Sequence, residues 1–488
     1  MTTLDKTASV QEKGSILIPD QARWKGARPI PFLITASIGG AIWAIPTPAG
    51  LTTQAWHLFA IFIFIITGLI TRPLPVSPMV LMGSIIAIVT QTLTFKEISI
   101  GLSNPSIWLI FVAFFLAKGL IKTQLAMRAS YFFVKALGHR IVGLVYGIIL
   151  SELILAPLIP SIVARAGGII FPIVLTLAKT YDEQDPTKST GRFLTIATFQ
   201  GSVIVSAMFL TSMAANPIAA EIASEFGVTL SWGKWFLASS VPGIVSLLLT
   251  PLIVRKLIPP KLAYSPEAPK MAKEKLKEMG PVSSNEKLML GVFAIVLSLW
   301  LFGSYLKISN TVAALMGVML LLFCGVINWK DCLKEHTAWD TLFWLGILVA
   351  IGTALKNLDF FNWFSMNIVS FISSMTWHWA FLVMVGLYFY SHYFFASNTA
   401  HLTAMYSAFL AAAIQIGAPP LLTVLVLAFF SSLFGGLTHY SSGPAPIFFS
   451  AGYVSLKKWW QIGLVVSICN VFIWLVVGGL WWKILRFW

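Results

Sequence analysis

Charged side chains are what this sequence has least of. They make up 10% of its 488 residues against 57% hydrophobic ones, a balance that excludes a soluble globular chain and requires a polytopic helical membrane protein. Cysteine is scarce too. Cys324, Cys332 and Cys469 show no paired or metal-ligand spacing, which excludes a disulfide scaffold or a zinc site and leaves them as packing residues. No HExxH, no paired cysteines and no pair of acids falls within the apolar runs, where Glu152 and Asp340 stand alone. An embedded enzyme would have no catalytic set, and neither cofactor nor metal is expected. No apolar segment of signal-peptide type precedes the first full-length run, and Asp5, Glu12 and Asp20 lie among the leader's bases. That argues against a cleaved secretory signal and against an acid-poor transit peptide, so a bacterial cytoplasmic (inner) membrane is the default location.

What charge there is comes in two places. The net +15 would suggest nucleic acid in a soluble protein, but Lys6, Lys13, Arg23, Lys25 and Arg28 precede the first apolar run, and Arg255, Lys256, Lys261, Lys270, Lys273, Lys275 and Lys277 crowd one connection. The cytoplasmic bias of basic loops accounts for both. The N-terminus and that connection are therefore expected on the cytoplasmic side, with the lipid bilayer and not nucleic acid as partner. The connection is also the one sizeable hydrophilic loop, which divides the chain into a leader (1–29), a first membrane half (30–257), a linker (258–287) and a second half (288–488).

Each half holds a polar interruption. Ser397-Asn398-Thr399-Ala400-His401 breaks the apolar run 381–414, and Ser161-Ile162-Val163-Ala164-Arg165 breaks the run 144–178. Unsatisfied polar groups in lipid cost several kcal/mol each, so such a break must line a cavity. Both pentapeptides start with serine, carry alanine fourth and end on a cationic or protonatable residue. Serine and alanine are common in membrane helices, and the pentapeptides alone do not exclude coincidence. The order of features in the two halves makes the stronger case. A second interruption at Thr211-Ser212-Met213-Ala214-Ala215-Asn216-Pro217 has its counterpart at Thr438-His439-Tyr440-Ser441-Ser442-Gly443-Pro444. A polar entry with nearby lysines, at 103–122 and again at 339–356, is expected to be a re-entrant hairpin in each half. An amphipathic stretch at 125–137, expected in the interface plane, is mirrored at 360–372. Glu152, the one acid in its run, either faces the interior or pairs with a base, and an ion pair is expected ahead of a proton relay. The fold expected is all-α, with roughly eleven transmembrane helices plus two re-entrant hairpins in two inverted repeats.

The segments Phe394-Phe395-Ala396-Ser397-Asn398-Thr399-Ala400-His401, Gly435-Gly436-Leu437-Thr438-His439-Tyr440-Ser441-Ser442-Gly443-Pro444 and Gly452-Tyr453-Val454 resemble the divalent anion/sodium symporter family. Within it the chain is most similar to the branch of plastid 2-oxoglutarate/malate translocators and bacterial citrate or tartrate/succinate antiporters. The resemblance implies a homodimer in which a Ser-Asn-Thr signature at a helix break in each half, approached by a hairpin, holds a di- or tricarboxylate. It places Ser161, Ser397, Asn398, Thr399 and Thr438 at the substrate. Broken helices supply free backbone N–H groups and the positive dipole end, to which these side chains add donors.

In the first copy Ile162 and Val163 replace the Asn and Thr of the signature, so recognition is expected to be asymmetric. Sodium-coupled members of the family place Na+ beside each signature. Here the fifth positions hold Arg165 and His401, whose guanidinium and imidazole are expected to stand in for those cations and to help bind the substrate. An alternating-access antiporter of dicarboxylates such as 2-oxoglutarate, malate or succinate, independent of sodium, is the function expected. The alternative is a sodium-coupled di- or tricarboxylate symporter.

Overall fold

The computed structural model describes residues 26–364, 366 and 375–488. The leader through residue 25 and most of the stretch 360–372 lie outside the described residues.

Among the described residues the structure is helical apart from one isolated bridge between Arg140 and Tyr264. Three apolar helices open it, α1 (Pro29–Ala44), α2 (Thr53–Thr71) and α3 (Val76–Val89). The short α4 (Phe95–Ile100) is started by a capping box, in which the Glu97 amide donates to Thr94 Oγ1 at 3.2 Å and the Thr94 amide to the Glu97 carboxylate at 2.7 Å. α5 (Pro105–Lys122) begins on a proline in its first turn, capped by Asn104. The amphipathic α6 (Leu125–Leu137) follows, and α7 (Ile141–Leu155), α8 (Val163–Asp182), α9 (Ser189–Met208), α10 (Ala215–Glu225) and α11 (Trp232–Leu257) complete the half. α12 (Glu267–Glu278) lies in the basic linker.

The second half repeats the order from α2 onward. α13 (Ser284–Leu306), α14 (Asn310–Phe323), α15 (Trp329–Leu333) and α16 (His336–Asn357) answer α2 to α5. The likeness extends to the caps, since α15 opens on the box of Asn328 and Asp331 where α4 opens on Thr94 and Glu97. α17 (Trp377–Tyr390), α18 (Asn398–Gln415), α19 (Pro420–Leu433), α20 (Pro444–Ser450) and α21 (Leu456–Ile484) then answer α7 to α11. With the broken pairs α9–α10 and α19–α20 each counted as one crossing, six crossings fall in the first half and five in the second among the described residues.

The hairpins are present but displaced from the expected place. α5 and α16 are single unbroken helices of 18 and 22 residues, each long and apolar enough to cross a bilayer. Lys122 and Lys356 occupy their last turns, where cations meet the negative end of the helix dipole. Lys118 and Lys122 also pair with Glu335 at 3.2 Å and Asp331 at 2.7 Å.

The turn-back happens instead at the pentapeptides. α7 runs parallel to α9, since Glu152 reaches Ser202 and the Pro157 carbonyl reaches Thr211, and α8 returns antiparallel through the tight turn at 183–188. Both ends of this pair meet the linker. The Ile141 amide donates to Ala263 O at 3.1 Å, the Ser265 amide to His139 O at 2.9 Å, and Tyr181 bonds to Ser265. α7 and α8 therefore enter and leave on the linker side, with the break as their tip. α17 and α18 form the equivalent hairpin. Tyr388 and His392 meet Ser431 and Ser441, in parallel order, while Asn398 and Tyr406 meet Ser431 and Val424, in antiparallel order.

Two helices form the centre. Every residue of α9 from Phe193 to Met208 is buried, as is every residue of α19 from Leu422 to Leu433, the pattern of helices enclosed on all sides. They run antiparallel: Gln200 Nε2 donates to Gly436 O at 2.9 Å, and Ser432 Oγ lies 3.4 Å from Ser206 O. Since each hairpin lies along its own central helix, the two enter from opposite faces, which is the inverted repeat in three dimensions.

Candidate functional site

The two tips are built alike. Ser161 Oγ accepts the Ala164 amide at 3.1 Å and Ser397 Oγ the Ala400 amide at 3.3 Å. The amides of Arg165 and His401 return to the carbonyls of the same serines, at 3.0 and 3.1 Å. Each serine is thus an N-cap that restarts the chain as a helix, and the helical register turns the fifth residue inward behind it.

The interruptions of the central helices are satisfied internally, as burial demands. Asn216 Nδ2 donates to Ser206 O and Phe209 O, both at 2.8 Å, where α9 ends. Ser442 Oγ donates to Gly435 O at 2.9 Å where α19 ends, and Ser432 Oγ donates to Asn216 Oδ1 at 2.9 Å, joining the two interruptions. Glycines let the tips approach. A Cβ on Gly435 would lie 2.8 Å from Asn398 Nδ2, and one on Gly443 would lie 2.2 Å from Val163 Cγ2. Both tips therefore reach the same interruption, from its two ends. Gly463 of α21 supports it from behind, where a Cβ would come within 2.2 Å of Leu437 O. Gly463→Ala drives a methyl into a fixed backbone carbonyl and is expected to lower the unfolding midpoint and reduce transport severalfold, read by thermal unfolding and by uptake.

Arg165 is fully buried and its charge is not free. Its Nε donates to Glu152 Oε1 at 3.1 Å, Nη1 donates to Ser212 O at 2.7 Å and to Ile159 O, and Nη2 has no partner. The ion pair expected of Glu152 is made with Arg165, and the other Glu152 oxygen is held by Ser202. The guanidinium thus does two things. It neutralises a buried acid, and it ties the carbonyls of tip and interruption together as a bound cation would. Arg165 is expected from the sequence to stand in for a cation and help bind substrate, and in this conformation its charge is paired with Glu152, because a lone charge at full burial costs far more than one with a counter-ion.

The second tip uses two imidazoles. His401 is fully buried between Phe395 and Phe434, each ring centroid 4.5 Å away. Its Nδ1 lies 3.0 Å from Nδ1 of His392, whose Nε2 lies 2.7 Å from Ser441 O. A carbonyl only accepts, so His392 Nε2 carries a proton and, with that ring neutral, its Nδ1 accepts from His401. His401 Nε2 faces Ser391 Oγ at 3.1 Å, and that hydroxyl also reaches Tyr388 O at 2.9 Å. A neutral His401 accepts the Ser391 proton. An imidazolium donates to Ser391, whose own proton turns to the Tyr388 carbonyl. Both charge states leave every group bonded. Sequence reasoning missed His392, which stands nine residues before His401 in an aromatic run without a motif of its own.

The remaining candidates separate by exposure. Asn398 is buried, and its amide donates to Ser431 O at 2.9 Å and Ser432 O at 3.2 Å, so in this conformation it positions the tip. Thr438 is fully buried within the interruption, accepting the Tyr440 amide at 3.4 Å. Ser161, Ser397 and Thr399 are half-exposed, and among the described residues none of their hydroxyl protons has a protein acceptor. Three unassigned donors at the open sides of two helix N-termini have the chemistry to receive anionic oxygen.

Two oppositely inserted hairpins, each tipped by a helix N-terminus and meeting interrupted central helices, define a secondary transporter of the inverted-repeat type. The comparisons with known proteins agree. Residues 27–488 match the family described as the sodium:sulfate symporter transmembrane region. A protein of Bacillus subtilis (strain 168) named for malate transport is 48% identical over 474 residues, 96% of this chain and 99% of that protein. The chloroplastic dicarboxylate transporter 1 of Arabidopsis thaliana is 45% identical over 478 residues, 97% of this chain and 86% of that one. The YdaH transporter of Alcanivorax borkumensis shares the fold at a TM-score of 0.52 and 11% identity, across 93% of this chain and 96% of that one. The chain belongs to this family, the divalent anion/sodium symporters, and is a multi-pass membrane transporter and not an enzyme.

Proposed function

We propose that this protein exchanges dicarboxylates, with 2-oxoglutarate, malate and succinate as candidates, across a bacterial cytoplasmic membrane by alternating access and without sodium. The observation that carries the reading is the place of the Arg165 guanidinium, with Nη1 donating to Ser212 O at 2.7 Å and to Ile159 O. A sodium ion beside the signature needs such carbonyls, and a permanently charged side chain already occupies them. The names of the relatives in Bacillus and Arabidopsis support a dicarboxylate substrate, and so does the chemistry of the tips. Ser161, Ser397, Thr399 and the free N–H groups of two helix starts present donors from opposite sides, which suits an anion with a carboxylate at each end. His401 adds charge when protonated. A homodimer is proposed from family resemblance.

Proteoliposomes preloaded with malate, 2-oxoglutarate, succinate or citrate test the substrate class. Counterflow of labelled malate is expected only with a di- or tricarboxylate inside, and uptake into empty liposomes at the same rate would refute exchange.

The six crossings counted before the linker support a common side for the N-terminus and the linker, and the basic bias supports the cytoplasm as that side. Lys275→Cys is expected to react with an impermeant thiol reagent only after intact cells are opened. Labelling in intact cells would reverse the orientation.

A further inference from the structure

At the linker end of the first hairpin a cavity of about 580 Å³ opens between the α6–α7 turn, the end of α11 and the linker. Arg140 and Arg255 line it together with His139 and Tyr264, and no acidic side chain does so among the described residues. Both arginines are exposed. Neither guanidinium makes a hydrogen bond or ion pair among the described residues. Arg140 rests on the ring of Tyr264, 5.5 Å from its centroid. Two guanidiniums from separate elements that line one cavity without an acidic side chain among the described residues suit an anion.

The side of the cavity toward the membrane is apolar. Tyr146 donates its hydroxyl to Leu248 O at the cavity edge, and Ile244, Leu248 and Leu252 are exposed at four-residue spacing on α11. That spacing makes one continuous stripe running from the bilayer up to Arg255. The amphipathic α6 beside it exposes Phe132 and Leu137, which sets this level of the molecule at the headgroup region. A phosphate diester with acyl tails fits such a place, because the arginines meet the phosphate and the stripe meets the chains. A free anion would make no use of the stripe.

We propose that this cavity is a binding site for an anionic phospholipid of the cytoplasmic leaflet, its phosphate between Arg140 and Arg255 and its acyl chains along Ile244, Leu248 and Leu252. The site lies at the base of the first hairpin, where the Ile141 amide is bonded to Ala263 O. A bound lipid therefore braces the junction of hairpin and linker.

Native mass spectrometry of the purified full-length protein tests this, with phosphatidylglycerol or phosphatidylcholine titrated into neutral detergent and with glycerol 3-phosphate as a headgroup-only competitor. Each basic side chain near a lipid surface contributes roughly a factor of five. The wild type is thus expected to retain phosphatidylglycerol over phosphatidylcholine, and Arg140→Gln/Arg255→Gln to need about thirty-fold more phosphatidylglycerol for equal occupancy. The variant's unfolding midpoint without added lipid is expected to equal that of the wild type, since both side chains are exposed. Equal retention of the two lipids by the wild type, or unchanged phosphatidylglycerol binding by the folded variant, would overturn the proposal. Displacement of the lipid by millimolar glycerol 3-phosphate would overturn it as well and assign the arginines to a soluble anion.

Discussion

Arg165→Ala is expected to abolish exchange and to destabilise the protein by about 3–5 kcal/mol, the usual consequence of stripping one partner from a buried ion pair. Glu152 would be left with Ser202 as its remaining partner at full burial. The carbonyls of Ile159 and Ser212 would lose the donor that ties the first tip to its interruption. Loss of folding and loss of the site give the same transport result in this variant, so the informative partner is Glu152→Gln/Arg165→Met. That pair removes both charges at similar volume and is expected to recover most of the stability. Exchange is expected to stay low, because no donor bridges the two carbonyls. Full exchange in the double variant, measured as counterflow at matched protein incorporation, would reduce Arg165 to a structural role.

Asn398→Ala is expected to lower exchange at least tenfold while the protein still folds. The amide donates to two carbonyls at the end of α19, at 2.9 and 3.2 Å. Truncation removes this donor from both buried acceptors, Ser432 O keeping the Phe434 amide, and a lost buried hydrogen bond costs about 1–3 kcal/mol. The tip bearing Thr399 would then be free to shift relative to Gly435. Asn398→Asp is a useful companion, because it keeps the shape but sets an acceptor against two carbonyls, and it is expected to be worse than alanine. Wild-type exchange in purified Asn398→Ala would show that the tip is held by its backbone alone.

The repeat was legible because its signals are local. A serine that caps a helix and a proline six residues after a threonine are written in adjacent residues, and Thr211 to Pro217 and Thr438 to Pro444 could be matched without a structure. The hairpins were misplaced for the converse reason. Lysines at the end of a short apolar run look the same in a re-entrant segment and in a full crossing. The distinction rests on Glu335 and Asp331, which lie more than 200 residues away in sequence and accept those lysines. The same applies at the site. Ser161, Ser397 and Thr399 were identifiable by pattern. That Glu152 pairs with a base was open as one alternative, without naming Arg165, and the roles of His392, Gln200 and Asn216 depend on which carbonyls the interruptions leave unsatisfied.

Counterflow of labelled malate by the wild-type protein, in liposomes with choline or sodium as the only external cation, tests the central claim most directly. On the proposed reading, in which Arg165 and the His392–His401 pair take the place of bound cations, exchange is predicted at the same rate in both. A strict requirement for sodium would contradict the account and make the chain a sodium-coupled symporter.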